Sequence, residues 1–207
     1  MNIDYSVYLV TDKRFLKNMT LEQAVEESIK GGTSIVQIRE KEASTREFFD
    51  TASKVHEVTK YYNVPLIIND RIDIAQAVKA EGVHLGQSDM PIEFAKKILG
   101  DDVIIGISCN NVKQALQAEK AGAHYLGLGS VFPTSTKEDI STLLGLEGLK
   151  EITSKIHIPS VAIGGVNLQN AESVMKSGVN GLSVISCILG SNDIKAASQQ
   201  LRDCTEL

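Results

Sequence analysis

The sequence predicts a single (β/α)8 barrel spanning residues 1–207, and three observations support this fold class. Short apolar segments rich in β-branched residues alternate with amphipathic helical segments along the whole chain. There are eight segments of each kind, the number that closes such a barrel. The length suits one large domain, and no low-complexity linker divides the chain.

The predicted strands are short and continuously apolar. Such runs are typical of parallel strands that are covered on both faces. In chain order they are VYLVT (7–11), SIVQIR (34–39), PLIIN (65–69), GVHLG (82–86), VIIGIS (103–108), YLGLGSV (125–131), PSVAIGG (159–165) and GLSVIS (181–186).

The predicted helices separate these strands. Thr20 is a good N-cap residue for the first helix, and Ser44 or Thr45 for the second. In chain order the helical segments cover residues 20–32, 44–62, 71–82, 91–101, 111–123, 146–156, 167–178 and 191–203. Glycines are predicted as C-caps at five helix ends, namely Gly31, Gly82, Gly100, Gly122 and Gly178.

An open, doubly wound sheet is the alternative fold, but it usually has fewer strands, and no GxGxxG turn follows the first strand here. The formal charge of −5 argues against a nucleic-acid-binding role. No apolar run reaches the ~18–20 residues of a membrane span. Cys109, Cys187 and Cys204 lack CxxC spacing, which favours free thiols in a cytoplasmic protein over disulfides or a zinc site.

Polar residues follow the second predicted strand, at the end where barrel enzymes carry their chemistry. Gln37, Arg39 and Lys41 alternate along the chain, so they share one face of an extended segment. An amide and two cations on one face predict a site for an anion. The alternative is a salt-bridged strand end at the surface.

Two carboxylates follow the third and fourth strands. Asp70 comes after Asn69, and Asp89 follows the HLGQ segment. Magnesium typically takes one or two protein carboxylates and completes its shell with water and substrate phosphates, so the pair predicts a Mg²⁺ site. The alternatives are that Asp89 caps the next helix and that Asp70 forms a structural ion pair with Arg71.

Further candidates follow the remaining strands. Ser108 follows the fifth strand, and the sixth is followed by VFPTSTK (131–137), which contributes hydroxyl groups and a lysine. After the last two strands, Gly164 and Gly165 allow close backbone approach, and a short helix N-terminus can receive a phosphate. The residues therefore predict two anion sites at one mouth, one suited to a diphosphate with Mg²⁺ and one to a monophosphate.

The histidines and Cys109 add less. His84 lies inside the fourth strand and is either packed in the barrel or adjacent to the ligand, whereas His56 is predicted to lie at the surface. Cys109 is expected to be a packing residue rather than a nucleophile, because no histidine is in an obvious activating position.

The motifs QIREK, NDRIDIA, GVHLGQSD, GIS, GLGSVFPTSTK, VAIGGV and VIS occur in this order over nearly the whole chain. Together they resemble the thiamine phosphate synthase family. That family joins 4-amino-2-methyl-5-hydroxymethylpyrimidine diphosphate to a thiazole phosphate, with thiamine monophosphate and diphosphate as products. The resemblance implies a dissociative reaction assisted by Mg²⁺, and it leaves open whether the thiazole is carboxylated.

The resemblance also implies roles for individual residues. Asp70 and Asp89 are implied as Mg²⁺ ligands. The implied substrate-binding residues are Gln37, Ile38, Arg39, Glu40, Lys41, Asn69, Ser108, Thr134, Ser135, Thr136, Lys137, Gly165, Ile185 and Ser186. Those implied in catalysis are Arg39, Lys41, Ser108 and Lys137.

Two alternative functions remain at this point. A thiazole tautomerase looks like a close relative on the same barrel, but that branch lacks the magnesium and diphosphate residues. A non-catalytic barrel that binds thiazole or thiamine phosphate would not need them either. The expected partners are the two small-molecule substrates, with no nucleic acid and no membrane, and homo-oligomer formation is left open.

Overall fold

A computed structural model describes residues 3–134 and 143–206 and contains a closed barrel of eight parallel strands. Each strand pairs with the next, and the first pairs with the last. This confirms the predicted (β/α)8 barrel. The strands are β1 (Val7–Val10), β2 (Ile35–Ile38), β3 (Leu66–Asn69), β4 (Gly82–Leu85), β5 (Ile104–Cys109), β6 (Tyr125–Leu128), β7 (Ser160–Ile163) and β8 (Gly181–Val184).

All eight predicted helical segments contain a helix. A short additional helix, α8, follows β8, and a 3-10 turn at Lys13–Phe15 follows β1. The helices are α1 (Leu21–Lys30), α2 (Thr45–Tyr61), α3 (Ile72–Val78), α4 (Ile92–Leu99), α5 (Val112–Lys120), α6 (Gly145–Thr153), α7 (Ala171–Met175), α8 (Ser186–Leu189) and α9 (Ile194–Asp203).

The predicted N-caps are correct for the first two helices. Thr20 accepts a hydrogen bond from the Gln23 backbone N–H, and the Gln23 side chain accepts one from the Thr20 backbone. Ser44, rather than Thr45, caps α2 through the same reciprocal arrangement with Glu47. These capping boxes satisfy backbone donors that a helix N-terminus otherwise leaves without a partner.

Two of the five predicted C-caps, Gly31 and Gly100, are correct. The C-caps of α5 and α7 are instead Ala121 and Lys176, and Gly122 and Gly178 lie just beyond them with positive φ values.

The prediction for Gly82 is wrong for a different reason. Gly82 is the first residue of β4, where an added Cβ would lie 2.5 Å from Ile67 Cδ1. α3 ends instead at Lys79, which adopts the left-handed conformation with a φ of 56°. Gly82 is therefore required for close packing between strands, and a lysine performs the chain reversal that glycine usually performs.

Side chains alternate between two apolar layers. Residues that point outward from the strands pack against the helices, and inward-pointing residues fill the barrel. The inner layer consists of Tyr5, Tyr8, Val10, Ile35, Ile67, Ile104, Tyr125 and Val161. This layer fills the inside of the barrel beneath the carboxyl ends of the strands.

Two further observations concern the helices. His56, predicted at the surface, is buried in α2, with Nε2 3.1 Å from Glu81 Oε1 and Nδ1 3.0 Å from the Val78 carbonyl oxygen. Helical periodicity places it on the inner face of α2, which the surface prediction overlooked. None of the helices in the described ranges has both the length and the apolar character needed to cross a bilayer.

Candidate functional site

A cavity of about 460 Å³ opens at the carboxyl ends of the barrel strands. Residues from all eight strands and from the loops after β2 to β8 line it, which is the usual position for a barrel active site. The predicted site residues that line this cavity are Gln37, Arg39, Lys41, Asn69, Asp70, Asp89, Ser108, Thr134, Gly165, Ile185 and Ser186. The structure therefore brings together residues that are up to 149 positions apart in the sequence, from Gln37 to Ser186.

The side chains of two predicted substrate-binding residues lie away from this cavity. Ile38 is fully buried in the layer between strands and helices. Glu40 lies 3.1 Å from Lys13 Nζ and lines a separate, more open cleft. Strand alternation explains both positions, because the neighbouring side chains of Gln37 and Arg39 point inward. The other predicted residues, Ser135, Thr136 and Lys137, lie outside the described residues.

Lys41 and Asp70 form an ion pair at one side of the mouth. Lys41 Nζ lies 2.5 Å from Asp70 Oδ2. Asp70 has a φ of 61°, a left-handed conformation that aspartate tolerates better than most residues. The alternative pair between Asp70 and Arg71 does not form, because Arg71 instead binds Asp73. The sharp turn at Asp70 thus directs its carboxylate toward the end of β2.

Asp89 lies close to the same pair. Its Oδ2 accepts a hydrogen bond from the Gly86 backbone N–H at 2.6 Å. Burial raises the pKa of Asp89, and the neighbouring carboxylate of Asp70 raises this pKa further. No side chain caps α4, so Asp89 does not have the helix-capping role considered above.

The carboxylate pair fits a magnesium ion on chemical grounds. Two adjacent carboxylates repel each other, and a divalent cation between them removes that repulsion. Across residues 3–134 and 143–206, no group of three or more histidine, cysteine, aspartate or glutamate side chains could hold a metal ion. The donor set therefore suits Mg²⁺, which takes one or two carboxylates, better than zinc.

The loops after the neighbouring strands β6 and β7 are in close contact at the mouth. Gly164 and Gly165 have φ values of 96° and 67°, where glycine carries no steric penalty. A Cβ added to Gly164 would collide with the Ser130 Oγ, and one added to Gly165 would lie 2.7 Å from Phe132 Cβ. The paired glycines thus allow the start of VFPTSTK to pack against the β7 loop and place Thr134 at the cavity.

Polar side chains form the floor of the cavity. His84 is buried in the barrel, and its Nε2 lies 2.9 Å from Ser108 Oγ, so it is both packed and adjacent to the cavity. Its Nδ1 lies 2.9 Å from the Tyr125 hydroxyl, which lies 2.6 Å from the Tyr8 hydroxyl. Sequence reasoning missed both tyrosines. Their inward positions follow from strand alternation, and a buried tyrosine hydroxyl usually has a partner.

Cys109 is buried beside the cavity. Burial raises the pKa of its thiol to about 12, so the thiolate is not available at neutral pH. This agrees with the expectation that Cys109 is a packing residue.

The closed parallel barrel and the polar cavity at its mouth define an α/β-barrel protein with a small-molecule site at the strand ends. A sequence profile described as thiamine monophosphate synthase matches residues 7–188. The chain belongs to this family.

Individual relatives agree with the family match. A thiamine-phosphate synthase of Clostridium novyi is 63% identical over 97% of this chain and 98% of its own length. One of Clostridium botulinum is 57% identical over the same shares. The structure of a thiamine phosphate pyrophosphorylase from Pyrococcus furiosus superposes with a TM-score of 0.89 at 42% identity, covering 98% of this chain and 96% of that one.

Proposed function

We propose that this chain condenses 4-amino-2-methyl-5-hydroxymethylpyrimidine diphosphate with a thiazole phosphate to give thiamine monophosphate and diphosphate. Its family membership supports this activity. The observation that carries the proposal is the division of the cavity. Lys41, Asp70 and Asp89 lie at one side, and the glycine-containing loop after β7 lies with the end of β8 at the other.

The side formed by β2, β3 and β4 suits the pyrimidine diphosphate. Arg39 and Lys41 supply positive charge for the diphosphate, and Asp70 and Asp89 would hold Mg²⁺ beside it. When bound, this ion would draw negative charge from the departing diphosphate. Ser108, on β5, offers a hydroxyl to the pyrimidine ring.

The loops after β7 and β8 suit the thiazole phosphate. Gly165 lies beside Phe132 and Pro133 without a side chain of its own. Ile185 and Ser186 line the same side, and Ser186 is the first residue of α8, where backbone N–H groups favour an anion. Thr134 lies between the two substrate sides.

In the proposed reaction, the bond between the pyrimidine methylene carbon and the diphosphate oxygen breaks first. The electron pair leaves with the diphosphate, and the electron-rich aminopyrimidine stabilises the cation. The thiazole nitrogen then donates its lone pair to the methylene carbon. The chain contributes charge, orientation and exclusion of water rather than a covalent nucleophile, in agreement with the raised pKa of Cys109.

The alternatives from the sequence fit the cavity less well. A tautomerase or a non-catalytic binding barrel would have no use for Lys41, Asp70 and Asp89 at one side of the mouth. The formal charge of −5 and the unpaired state of Cys109, Cys187 and Cys204 support a cytoplasmic protein that does not bind nucleic acid.

The proposal is tested by measuring diphosphate release by the purified chain. Release should require the pyrimidine diphosphate, the thiazole phosphate and Mg²⁺ together, and EDTA should abolish it. Release from the pyrimidine diphosphate at the same rate without the thiazole would indicate a hydrolase instead.

A further inference from the structure

A continuous chain of five hydrogen-bonded side chains crosses the floor of the cavity. Gln37 Nε2 lies 2.7 Å from Tyr8 Oη, which lies 2.6 Å from Tyr125 Oη. Tyr125 Oη lies 2.9 Å from His84 Nδ1, and His84 Nε2 lies 2.9 Å from Ser108 Oγ. These hydrogen bonds connect strands β1, β2, β4, β5 and β6, and the series ends at the hydroxyl of Ser108, which lines the cavity.

The donor and the acceptor of each hydrogen bond in this row of side chains can be assigned in turn, starting from Gln37. With the Gln37 amide nitrogen facing it, Tyr8 Oη accepts from Gln37. Tyr8 is buried, and among its hydrogen bonds in the described part of the chain only Tyr125 Oη can accept the Tyr8 hydroxyl hydrogen, so we assign Tyr8 as the donor to Tyr125. Tyr125 then gives its hydrogen to His84 Nδ1, which must be unprotonated. The remaining ring nitrogen, Nε2, carries the hydrogen of the neutral imidazole and donates to Ser108 Oγ.

Both tyrosines retain the hydrogens that this order requires. Burial raises the pKa of Tyr8 and raises that of Tyr125 well above the ordinary tyrosine value. Each hydroxyl is therefore neutral and carries one hydrogen at neutral pH.

Two glycines provide the space inside the barrel that these hydrogen-bonded side chains occupy. In the strand register, Gly106 lies between His84 on one neighbouring strand and Tyr125 on the other. A Cβ at Gly106 would lie 2.1 Å from Tyr125 Cζ, and one at Gly127 would lie 2.9 Å from His84 Cε1. The rings can meet across β5 only because position 106 has no side chain.

We propose that Tyr8, Tyr125 and His84 are positioning residues that hold His84 as the Nε2–H tautomer and direct the Ser108 hydroxyl hydrogen into the cavity. Ser108 then presents a hydrogen-bond donor, and the ligand atom facing it is an acceptor. The inference rests on the proposed function, in which Ser108 faces the aminopyrimidine. The pyrimidine atom that accepts the hydrogen bond from Ser108 is then a ring nitrogen and not the exocyclic amino group.

The tautomer can be measured without any assay of activity. In the full-length wild-type protein labelled with nitrogen-15 histidine, the His84 resonances are those that disappear in His84→Gln. The expected spectrum has a protonated Nε2 and an unprotonated Nδ1. A protonated Nδ1 would reverse the order of the whole chain and overturn the inference.

The effect on the substrate is tested with Tyr125→Phe. Loss of the donor to His84 Nδ1 should raise the KM for the pyrimidine diphosphate roughly three- to tenfold, as expected for one weakened hydrogen bond, and leave the KM for the thiazole phosphate unchanged. The His84 resonances should shift toward a mixture of tautomers. Tyr8→Phe provides a second break in the same chain should Tyr125→Phe not fold.

Tyr5→Phe is the matched control. Its ring packs against Tyr125 with centroids 5.2 Å apart, but its hydroxyl is not one of the five linked groups. It should retain the wild-type tautomer and both KM values. Equal effects in the Tyr5 and Tyr125 variants would indicate a purely structural role and overturn the inference. If wild-type protein releases no diphosphate, the proposed function fails, whereas the tautomer measurement still decides the order of the chain.

Discussion

Lys41 Nζ lies 2.5 Å from Asp70 Oδ2, so a predicted diphosphate-binding cation and a predicted magnesium ligand neutralise each other. The arrival of a magnesium diphosphate would exchange this pair for two new ones. Lys41 would then face the phosphate oxygens, and Asp70 would face the metal. This exchange predicts opposite effects of one mutation on metal binding and on turnover.

Lys41→Met should bind Mg²⁺ more tightly than wild type in the absence of substrate, because Asp70 loses a competing cation. A partly exposed ion pair is worth ~0.2–1 kcal/mol, which corresponds to at most about a fivefold gain in affinity. The same variant should lose activity on the order of 100-fold, because positive charge at the leaving diphosphate is lost.

Titration calorimetry with Mg²⁺ and diphosphate release measure the two effects of Lys41→Met. Lys120→Met, at the C-terminal end of α5, should change neither quantity. Weaker Mg²⁺ binding by the Lys41 variant would contradict the exchange.

Asp89→Asn should reduce turnover on the order of 100-fold without destabilising the metal-free fold. Burial and the charge of Asp70 raise the pKa of Asp89, so its ionised form is disfavoured in the folded protein. An asparagine keeps an oxygen acceptor for the Gly86 backbone N–H. Urea unfolding in EDTA, compared with the exposed Asp102→Asn, should show unchanged or slightly higher stability. Full activity would remove Asp89 from the metal site.

Gly164→Ala should weaken binding of the thiazole phosphate and destabilise the fold. The new Cβ would collide with Ser130 Oγ, and the φ of 96° is unfavourable for alanine. Gly100→Ala provides a control for strain alone, because its φ is 90° and nothing lies within 4 Å of an added Cβ. We expect the Gly164 variant to lose ~1–3 kcal/mol more than the Gly100 variant in the free energy of unfolding. Equal losses would show that the contact between the two loops contributes nothing.

The stability of the barrel should fall at acid pH through Glu81. Burial alone would raise the pKa of this carboxyl group, but hydrogen bonds from His56 and from the Leu66 backbone N–H lower it overall. A lowered folded-state pKa contributes stability above the ordinary value of 4.5, and this stability is lost as the pH falls through the folded-state value. Urea unfolding measured from neutral pH to below pH 4.5 should show a falling free energy of unfolding.

Glu81→Gln should be less stable than wild type by ~1–3 kcal/mol at neutral pH, since a partly buried charge-assisted hydrogen bond is lost. The difference in the free energy of unfolding between Glu81→Gln and wild type should shrink as the pH falls below 4.5. Glu57→Gln, an exposed change on α2, should follow the wild-type curve. A constant difference between Glu81→Gln and wild type at every pH would show that the carboxylate charge does not matter.

Most of the barrel could be predicted from the sequence, because continuous apolar strands and capped helices are local patterns. The errors occur where a distant contact decides the outcome. Gly82 resembles a helix-ending glycine, but packing against Ile67 assigns it to a strand, and no local signal indicates that Lys79 ends α3 in a left-handed conformation. His56 is polar, yet its position on α2 places it against Glu81.

The same contrast between local patterns and distant contacts applies to the site. The polar residues at the strand ends were predicted because barrel topology fixes where they meet, and alternation separates Arg39 from the outward-facing Glu40. The chain through Tyr8 and Tyr125 was missed because its hydroxyl partners are 117 residues apart. The local sequence identifies each of these tyrosines only as a large residue in a buried strand and gives no sign of its hydroxyl partner.

The proposed activity links two phosphorylated precursors at a magnesium-dependent site. The most direct measurement follows thiamine monophosphate by mass spectrometry and diphosphate by a coupled assay in the same reaction. We expect the two products to form in equal amounts, only with both precursors and Mg²⁺, and we expect Asp89→Asn to suppress both together. Absence of thiamine monophosphate with both precursors intact, or its formation at an unchanged rate in EDTA, would contradict it.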